Sequence, residues 1–380
     1  MRLKRVYSIS DIKDPYNEYF DHELNKKIIN KVAEKCYLPT NALLQDLIDK
    51  HDFKFSFSIT GVFLEQCKNY RPDVLESFKQ LARHKNVCVL SETYYHSLSS
   101  LFKNKGEFIQ QISEHEKILA KYGITVAPAF RNTELIFSNE IASIADSLGN
   151  HVILGEGIET LLGWRSPNYL YNVRSCPNIK AMLRNYRLSD DIGYRFSAKW
   201  WPEYPITAEK YASWLAACTG NSINLFIDYE TFGEHHWKDT GIFEFLKHLP
   251  EKVLQHDHLE FNHPHVIAEK YIAHDIIDAN YPISWADMER DTSAWLGNDM
   301  QRECFRIIQE IEQDVKDTKD RYLLHIYRLL QTSDHLYYLS TKNLSDQDVH
   351  NYFSHYDSPF EGFINYMNLL QHFKGLIGAR

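Results

Sequence analysis

Two hydrophobic periods divide the chain. Over the first two thirds, short runs of strand character alternate with stretches whose apolar residues recur every three or four positions. The strand-like runs are 54–59 (KFSFSI), 86–91 (NVCVLS), 124–130 (ITVAPAF), 151–154 (HVIL), 222–227 (SINLFI) and 258–261 (HLEF). The helical stretches between them carry their own punctuation. RPDVLESFKQLARH opens with Pro72, whose missing N–H costs nothing in a first turn, and sets Val74, Phe78 and Leu81 on one face. GEFIQQISEHEKILAKYG closes on Lys121 and Gly123, a cation in the last turn followed by a residue free to adopt positive φ. NEIASIADSLG ends in the same way at Gly149.

Repeated β–α units of this length require parallel strands joined by right-handed crossovers, and so predict a doubly wound sheet or a barrel. From about Trp285 onward the strand signals stop. Three long helical runs follow: NDMQRECFRIIQEIEQDVKDT, DRYLLHIYRLLQTSDHLYYLS and FEGFINYMNLLQHFKGLIG. The expected division is therefore an α/β unit over residues 1–284 and a helical bundle over 285–380, with no low-complexity linker between them.

Composition narrows the function classes. The net charge of −9 opposes binding to a phosphate backbone, and RLKR at 2–5 is the one tight basic cluster. Six cysteines (36, 67, 88, 176, 218 and 304) are scattered without a CxxC pair. That suits reduced thiols in the cytoplasm better than a disulfide frame or a zinc site. No apolar leader and no run near the roughly 20 residues of a membrane span is present. The reading is a soluble cytoplasmic protein with no nucleic-acid or membrane partner, no required cofactor and no metal; its oligomeric state is not legible. Aromatic residues make up 14% of the chain, which fits sugar-stacking surfaces and a large aromatic core equally well.

In parallel α/β folds the functional groups gather at the C-terminal ends of strands. After the third candidate strand comes FRNTELIFS, with Glu134; after the fifth comes FIDYETFGEHHW, with Asp228, Glu230 and Glu234. The second runs into ETYYHS, with Glu92 and His96, and the first into SITGVFLEQ, with Glu65 and Gln66. Two carboxylates from different strands are what glycoside hydrolysis needs: one protonated to serve the leaving oxygen, one anionic to attack the anomeric carbon. The apolar run before Asp228 would raise its pKa by desolvation. Strand-end acids also cap helices, and position alone does not separate the two roles.

Taken in order, SITGVFLEQ, ETYYHS, FRNTELIFS, LFIDYETFGEHHW and YPISWADMERDTSAWLGN resemble the signature regions of glycoside hydrolase family 57, in its short α-amylase-like branch. The similarity runs from about Arg2 to the C-terminus. It implies an incomplete (β/α)7 barrel with a C-terminal α-helical region. It also implies retaining cleavage of α-1,4-glucosidic bonds in α-glucans or maltodextrins through a covalent glycosyl-enzyme. Glu134 matches the nucleophile and Asp228 the acid/base, with carboxyl groups expected about 5–5.5 Å apart. Glu65, His96, Trp164, Asp191, Tyr229, His235, Trp285, Asp287 and Asp291 are the expected substrate contacts. A 4-α-glucanotransferase would use the same nucleophile and remains an alternative.

The family's first signature, His-Gln-Pro at the end of the first barrel strand, is absent. The opening MRLKRVYSISDI resembles the stretch that follows it, and six strand candidates stand against seven expected. The expectation is that the first strand lies upstream of Met1. If it does not, a catalytically impaired α-glucan-binding protein becomes the reading. His256, His258, His263 and His265 in HDHLEFNHPH are spread by a strand and the Pro264 turn rather than set at ligand spacing. A metal-dependent deacetylase would need an Asp-Asp pair and an HxxxH segment, and neither occurs.

Overall fold

In the computed structural model, which describes residues 1–5, 12, 14–342 and 354–378, the apolar runs build a seven-stranded sheet. Its strands are β1 (Phe55–Phe57), β2 (Val87–Ser91), β3 (Val126–Arg131), β4 (Val152–Glu156), β5 (Leu170–Val173), β6 (Cys176–Arg184) and β7 (Asp275–Ile277). They lie in the order β1-β2-β3-β4-β6-β5-β7. The run from β1 through β4 to β6 is parallel, β5 folds back antiparallel on β6, and β7 lies parallel to β5. Among the described residues the sheet does not close, so the barrel is incomplete, with β1 and β7 at its edges. Every residue of β2 and β4 is buried, as expected for parallel strands covered on both faces.

The covering helices form where their sequence signals stand. Pro72 and Asp73 open Pro72–Ala82, which buries Val74, Leu75, Phe78, Leu81 and Ala82. Ser138 Oγ accepts from the Ile141 N–H and caps Asn139–Ser147. Gly123 and Gly149 both take positive φ just beyond their helices.

Two expected strands are not strands. Residues 222–227 form no ladder; side chains satisfy part of their backbone instead. Arg184 Nε donates to the Phe226 carbonyl at 2.7 Å, and the Phe226 N–H donates to Ser189 Oγ at 3.2 Å. Residues 258–261 likewise form no ladder, and Phe261 packs edge-on against Phe53. Conversely, the β5–β6 hairpin escaped detection because its turn has no glycine: Ser175 supplies the positive φ. With only three residues, β7 offers too short a run to show a period.

The helices beyond Trp285 include Asp299–Glu310, Arg321–Leu329 and Pro359–Gly378. They share one core with the sheet's own helices: Phe102, Phe108 and Phe130 join Trp295, Phe305, Tyr327 and Phe373 in a single apolar cluster. No helix among the described residues is long and apolar enough to cross a membrane. Arg328, 3% exposed, crosses this interface and donates to Glu107 at 2.7 Å, and it also pairs with Glu114. Burial pushes the Glu107 carboxyl up, but Arg328 and Lys316 outweigh it and hold it below its ordinary value. This pair therefore contributes stability above the ordinary carboxylate range, and the contribution is lost as the pH falls through the depressed value. Replacing Arg328 by Met leaves the buried Glu107 only Lys316, 3.0 Å away, as a cationic partner and should cost on the order of 1–3 kcal/mol. Denaturant unfolding reads the loss, and an unchanged midpoint would contradict it.

Candidate active site

Glu134 sits one turn beyond β3, in a backbone conformation the sequence had to build. Asn132 folds that turn: its carbonyl accepts from the Leu135 N–H at 3.0 Å, and its side-chain amide donates to the Ile136 carbonyl at 2.9 Å. Inside the turn Glu134 takes φ 56° and Leu135 φ 52°, left-handed values that L side chains resist. A second segment pins the turn. Ser284 Oγ donates to the Glu134 carbonyl at 2.8 Å, and the Trp285 N–H donates to the same oxygen at 3.3 Å. The side chain is gripped as well. His96 Nε2 donates to Oε1 at 2.8 Å and Trp285 Nε1 to Oε2 at 2.7 Å.

Asp228 ends the ladderless 222–228 segment and begins a single turn over Tyr229–Thr231. That turn rests on residues 36–40. Cys36 Sγ donates to the Tyr229 carbonyl, Tyr37 Oη to Glu230 at 2.6 Å and Thr40 Oγ1 to the Phe232 carbonyl. Gly233 permits the approach: at φ 111°, an added Cβ would lie 2.0 Å from the Lys35 carbonyl oxygen. Gly233 of FGEHH thus turns the chain where no side chain fits.

Both carboxyls line one cavity of about 1860 Å³, larger than the roughly 300–1,000 Å³ typical of small-molecule sites. Their surroundings split their acidities. Burial pushes Glu134 up, but the hydrogen bond and charge of His96, the Arg131 guanidinium and the Trp285 donor bring it down to about 2. Burial also pulls the His96 imidazolium down, yet the Glu134 carboxylate beside it wins and leaves His96 above its ordinary value. Asp228 lines the cavity with its side chain exposed, yet the protein around it displaces much of its solvation. The lost solvation, with the charges of Glu230 and Glu134, pushes it up to about 6 against the opposing His235 and Arg131. An anion and an acid therefore coexist in one cavity at mildly acidic pH.

The structure brings His96, Tyr229, His235, Trp285 and Asp287 to this cavity with the two carboxyls. Tyr229 is committed to packing: its ring lies among Tyr37, Phe57 and Phe78, and its hydroxyl donates to Asn41. Asp287 pairs with Lys342 at 2.9 Å. Four expected contacts stand away from the cavity lining. Glu65 accepts from Tyr94 Oη at 2.7 Å, Asp191 accepts from Arg195, Asp291 accepts from the Ser293 N–H, and Trp164 is 91% exposed. Instead their neighbours Gln66 and Asp190 face the cavity.

Sequence reasoning passed over Arg131, Arg184 and Arg290, and placed Glu156 after the fourth strand without giving it a role. Arg131 ends β3, Glu156 ends β4 and Arg184 ends β6, so the strand-end rule finds them once it is applied to cations and to the hairpin strand. Glu92 lies in the cavity wall, fully buried, with Ser58 Oγ on Oε1 and no hydrogen-bond partner on Oε2. Among the described residues no group of three or more His, Cys, Asp or Glu is arranged to hold a metal; His263 and His265 simply stack.

The sequence pattern of Glycosyl hydrolase family 57 matches residues 11–280, well over half of the chain. The chain belongs to that family. A curated relative from Methanocaldococcus jannaschii bearing the name "Putative alpha-amylase" is 50% identical over 369 residues, covering 94% of this chain and 79% of its own length. Among solved structures, a family 57 branching enzyme from Thermococcus kodakaraensis superposes with TM-score 0.68 at 13% identity, over 94% of this chain and 86% of that one. A 4-alpha-glucanotransferase from Thermococcus litoralis matches with TM-score 0.67 at 13% identity, over 81% of this chain. The family 57 chain spans about half, 53%, of that enzyme. At such identities these likenesses carry the fold alone.

If the indole donor helps hold Glu134 anionic, Trp285→Phe should raise the pH at which Glu134 titrates. NMR of ¹³C-labelled glutamate carboxyls reads the change, and an unmoved titration would show that the bond does not stabilise the charge.

Proposed function

We propose that this family 57 chain is a retaining α-glucan hydrolase of the α-amylase type, with Glu134 as nucleophile and Asp228 as acid/base. The observation that carries the reading is that two carboxyls, Glu134 gripped by His96 and Trp285 and Asp228 without such donors, face one cavity. In the first step Glu134 attacks the anomeric carbon as the glycosidic C–O bond breaks, and Asp228 passes its proton to the departing oxygen. A glycosyl ester on Glu134 and a shortened glucan result. In the second step Asp228, now a carboxylate, takes a proton from water as the water oxygen attacks the same carbon and frees Glu134. His96 and Trp285 stabilise the carboxylate between turnovers. Trp285, His235 and Asp287 line the space where the sugar sits.

A 4-α-glucanotransferase would differ only in the acceptor, a sugar hydroxyl in place of water. Tyr194 and Trp200, 68% and 78% exposed at the cavity wall, are aromatic faces on which an acceptor sugar can stack, which keeps this second reading open. All six cysteines are free and five are buried, which supports placing the protein in the reducing cytoplasm.

Incubation with maltoheptaose followed by product separation distinguishes the activities. Glucose and maltose mean hydrolysis, oligomers longer than the substrate mean transfer, and unaltered substrate that still binds means a glucan-binding protein. Glu134→Gln should abolish turnover, and Asp228→Asn should lower kcat about 10²–10⁴-fold. The kcat/KM profile should fall as the pH rises through about 6, where Asp228 loses its proton. It should hold as the pH drops until Glu134 begins to protonate, near 2. A profile still rising above pH 7 would exclude Asp228 as the proton donor.

A further inference from the structure

Four charged side chains beside the cavity take no part in the chemistry above. Glu156 ends β4, Arg184 ends β6, Asp190 lies on the helix Tyr186–Gly193, and Arg290 closes the turn after Trp285. They form a square. Glu156 Oε2 accepts from Arg184 Nη1 at 3.1 Å and from Arg290 Nη1 at 2.7 Å. Asp190 accepts from Arg184 Nη2 at 2.5 Å and lies 3.5 Å from Arg290 Nη2. The Glu156 side chain is fully buried, and those of Arg184, Asp190 and Arg290 are 4%, 10% and 21% exposed. Buried ion pairs of this kind add little net stability over a well-packed apolar substitute. What the square does contribute is geometry, because each arginine also holds a backbone carbonyl.

Arg290 Nη1 donates to the Trp285 carbonyl at 3.1 Å, and the Arg290 carbonyl accepts from the Ser284 N–H at 3.0 Å. The turn 284–290 is thereby tied at both ends, with Arg290 itself at φ 55°. The same turn supplies three of the bonds on Glu134: Ser284 Oγ and the Trp285 N–H on its carbonyl, and the Trp285 indole on its carboxylate. Arg184 extends the square toward the acid. Its Nε holds the Phe226 carbonyl, two residues before Asp228, on a segment that has no ladder of its own.

We propose that Arg290 is a positioning residue: anchored on Glu156 and Asp190, it holds the 284–290 turn in the one arrangement that aims Ser284 and Trp285 at Glu134. The catalytic half of this statement rests on the reading of Glu134 as the nucleophile; the geometric half does not. Arg290 makes no hydrogen bond to the nucleophile or the acid, so it acts through Ser284 and Trp285.

The test is Arg290→Met, with Arg290→Lys beside it, using the indole ¹⁵N–¹H resonance of Trp285 (assigned from its loss in Trp285→Phe) and kinetics on maltoheptaose. Arg290→Met should move that resonance toward the position of a free indole. It should lower kcat roughly 10- to 100-fold, the scale of one lost hydrogen bond to a charged group, with KM little changed. Arg290→Lys should restore part of both. An unmoved indole resonance would overturn the proposal whatever the kinetics show. A moved resonance with full kcat would leave the latch standing and strike instead at Glu134 as nucleophile. If Arg290→Met does not fold, the double variant Arg290→Met/Glu156→Gln removes one charge of each sign, leaves the remaining Arg184–Asp190 pair balanced, and answers the same question.

Discussion

The site depends on holding Glu134 in a conformation its own backbone disfavours. Each non-glycine residue kept at positive φ costs on the order of 1–3 kcal/mol, and here Glu134 and Leu135 adopt it in succession. Asn132 shapes the turn from within, while Ser284 and Trp285 pin it from a segment some 150 residues later in the chain. Of the seven non-glycine residues at positive φ among those described, five belong to this region: His96, Glu134, Leu135, Asp287 and Arg290. Strain of this kind persists only where surrounding contacts over-determine the backbone, and the hydrogen bonds between the two turns do so.

That clamp is also electrostatic. His96 contributes most to keeping the Glu134 carboxylate charged, and the 284–285 segment that pins the Glu134 backbone adds the Trp285 donor, so position and acidity are linked through that segment. Asp228 is treated in the opposite way. It faces the cavity on a segment without a ladder, close to the acidic Glu230 and Glu134, where loss of solvation and like charge favour its protonated form. Arg131 lies between these demands: it lowers both carboxyls and stacks over the Trp285 ring. Two identical functional groups acquire different chemistry through their neighbours.

Much of this was legible in the sequence. Four of the six expected strands are present, and the rule that chemistry gathers beyond strand ends led to Glu134 and His96 directly. It led to Asp228 for a reason that was half right: SINLFI is apolar and leads to the cavity, but it forms no strand ladder, and Arg184 and Ser189 satisfy part of its backbone instead. A partner's side chains cannot be read from a segment's own hydrophobic period. The β5–β6 hairpin was hidden because Ser175, not glycine or asparagine, turns it, and with it went Arg184 and the charged square. Glu65, Asp191 and Asp291, expected as substrate contacts, each accept from a nearby group: Tyr94, Arg195 and Ser293. One-residue differences in direction, such as Asp190 inward and Asp191 toward Arg195, depend on helix phase against the cavity, which only the packed structure supplies.

If Glu134 is the nucleophile, it becomes covalently bonded to the sugar. A 5-fluoro-α-glucosyl fluoride, whose electron-withdrawing fluorine slows departure of the glycosyl ester more than its formation, should accumulate that ester. Digestion and mass spectrometry of the inactivated protein then locate the sugar. Label on the peptide bearing Glu134, absent in Glu134→Gln, is the expected result. Label on another carboxylate, or turnover of natural glucan by Glu134→Gln at the wild-type rate, would contradict it.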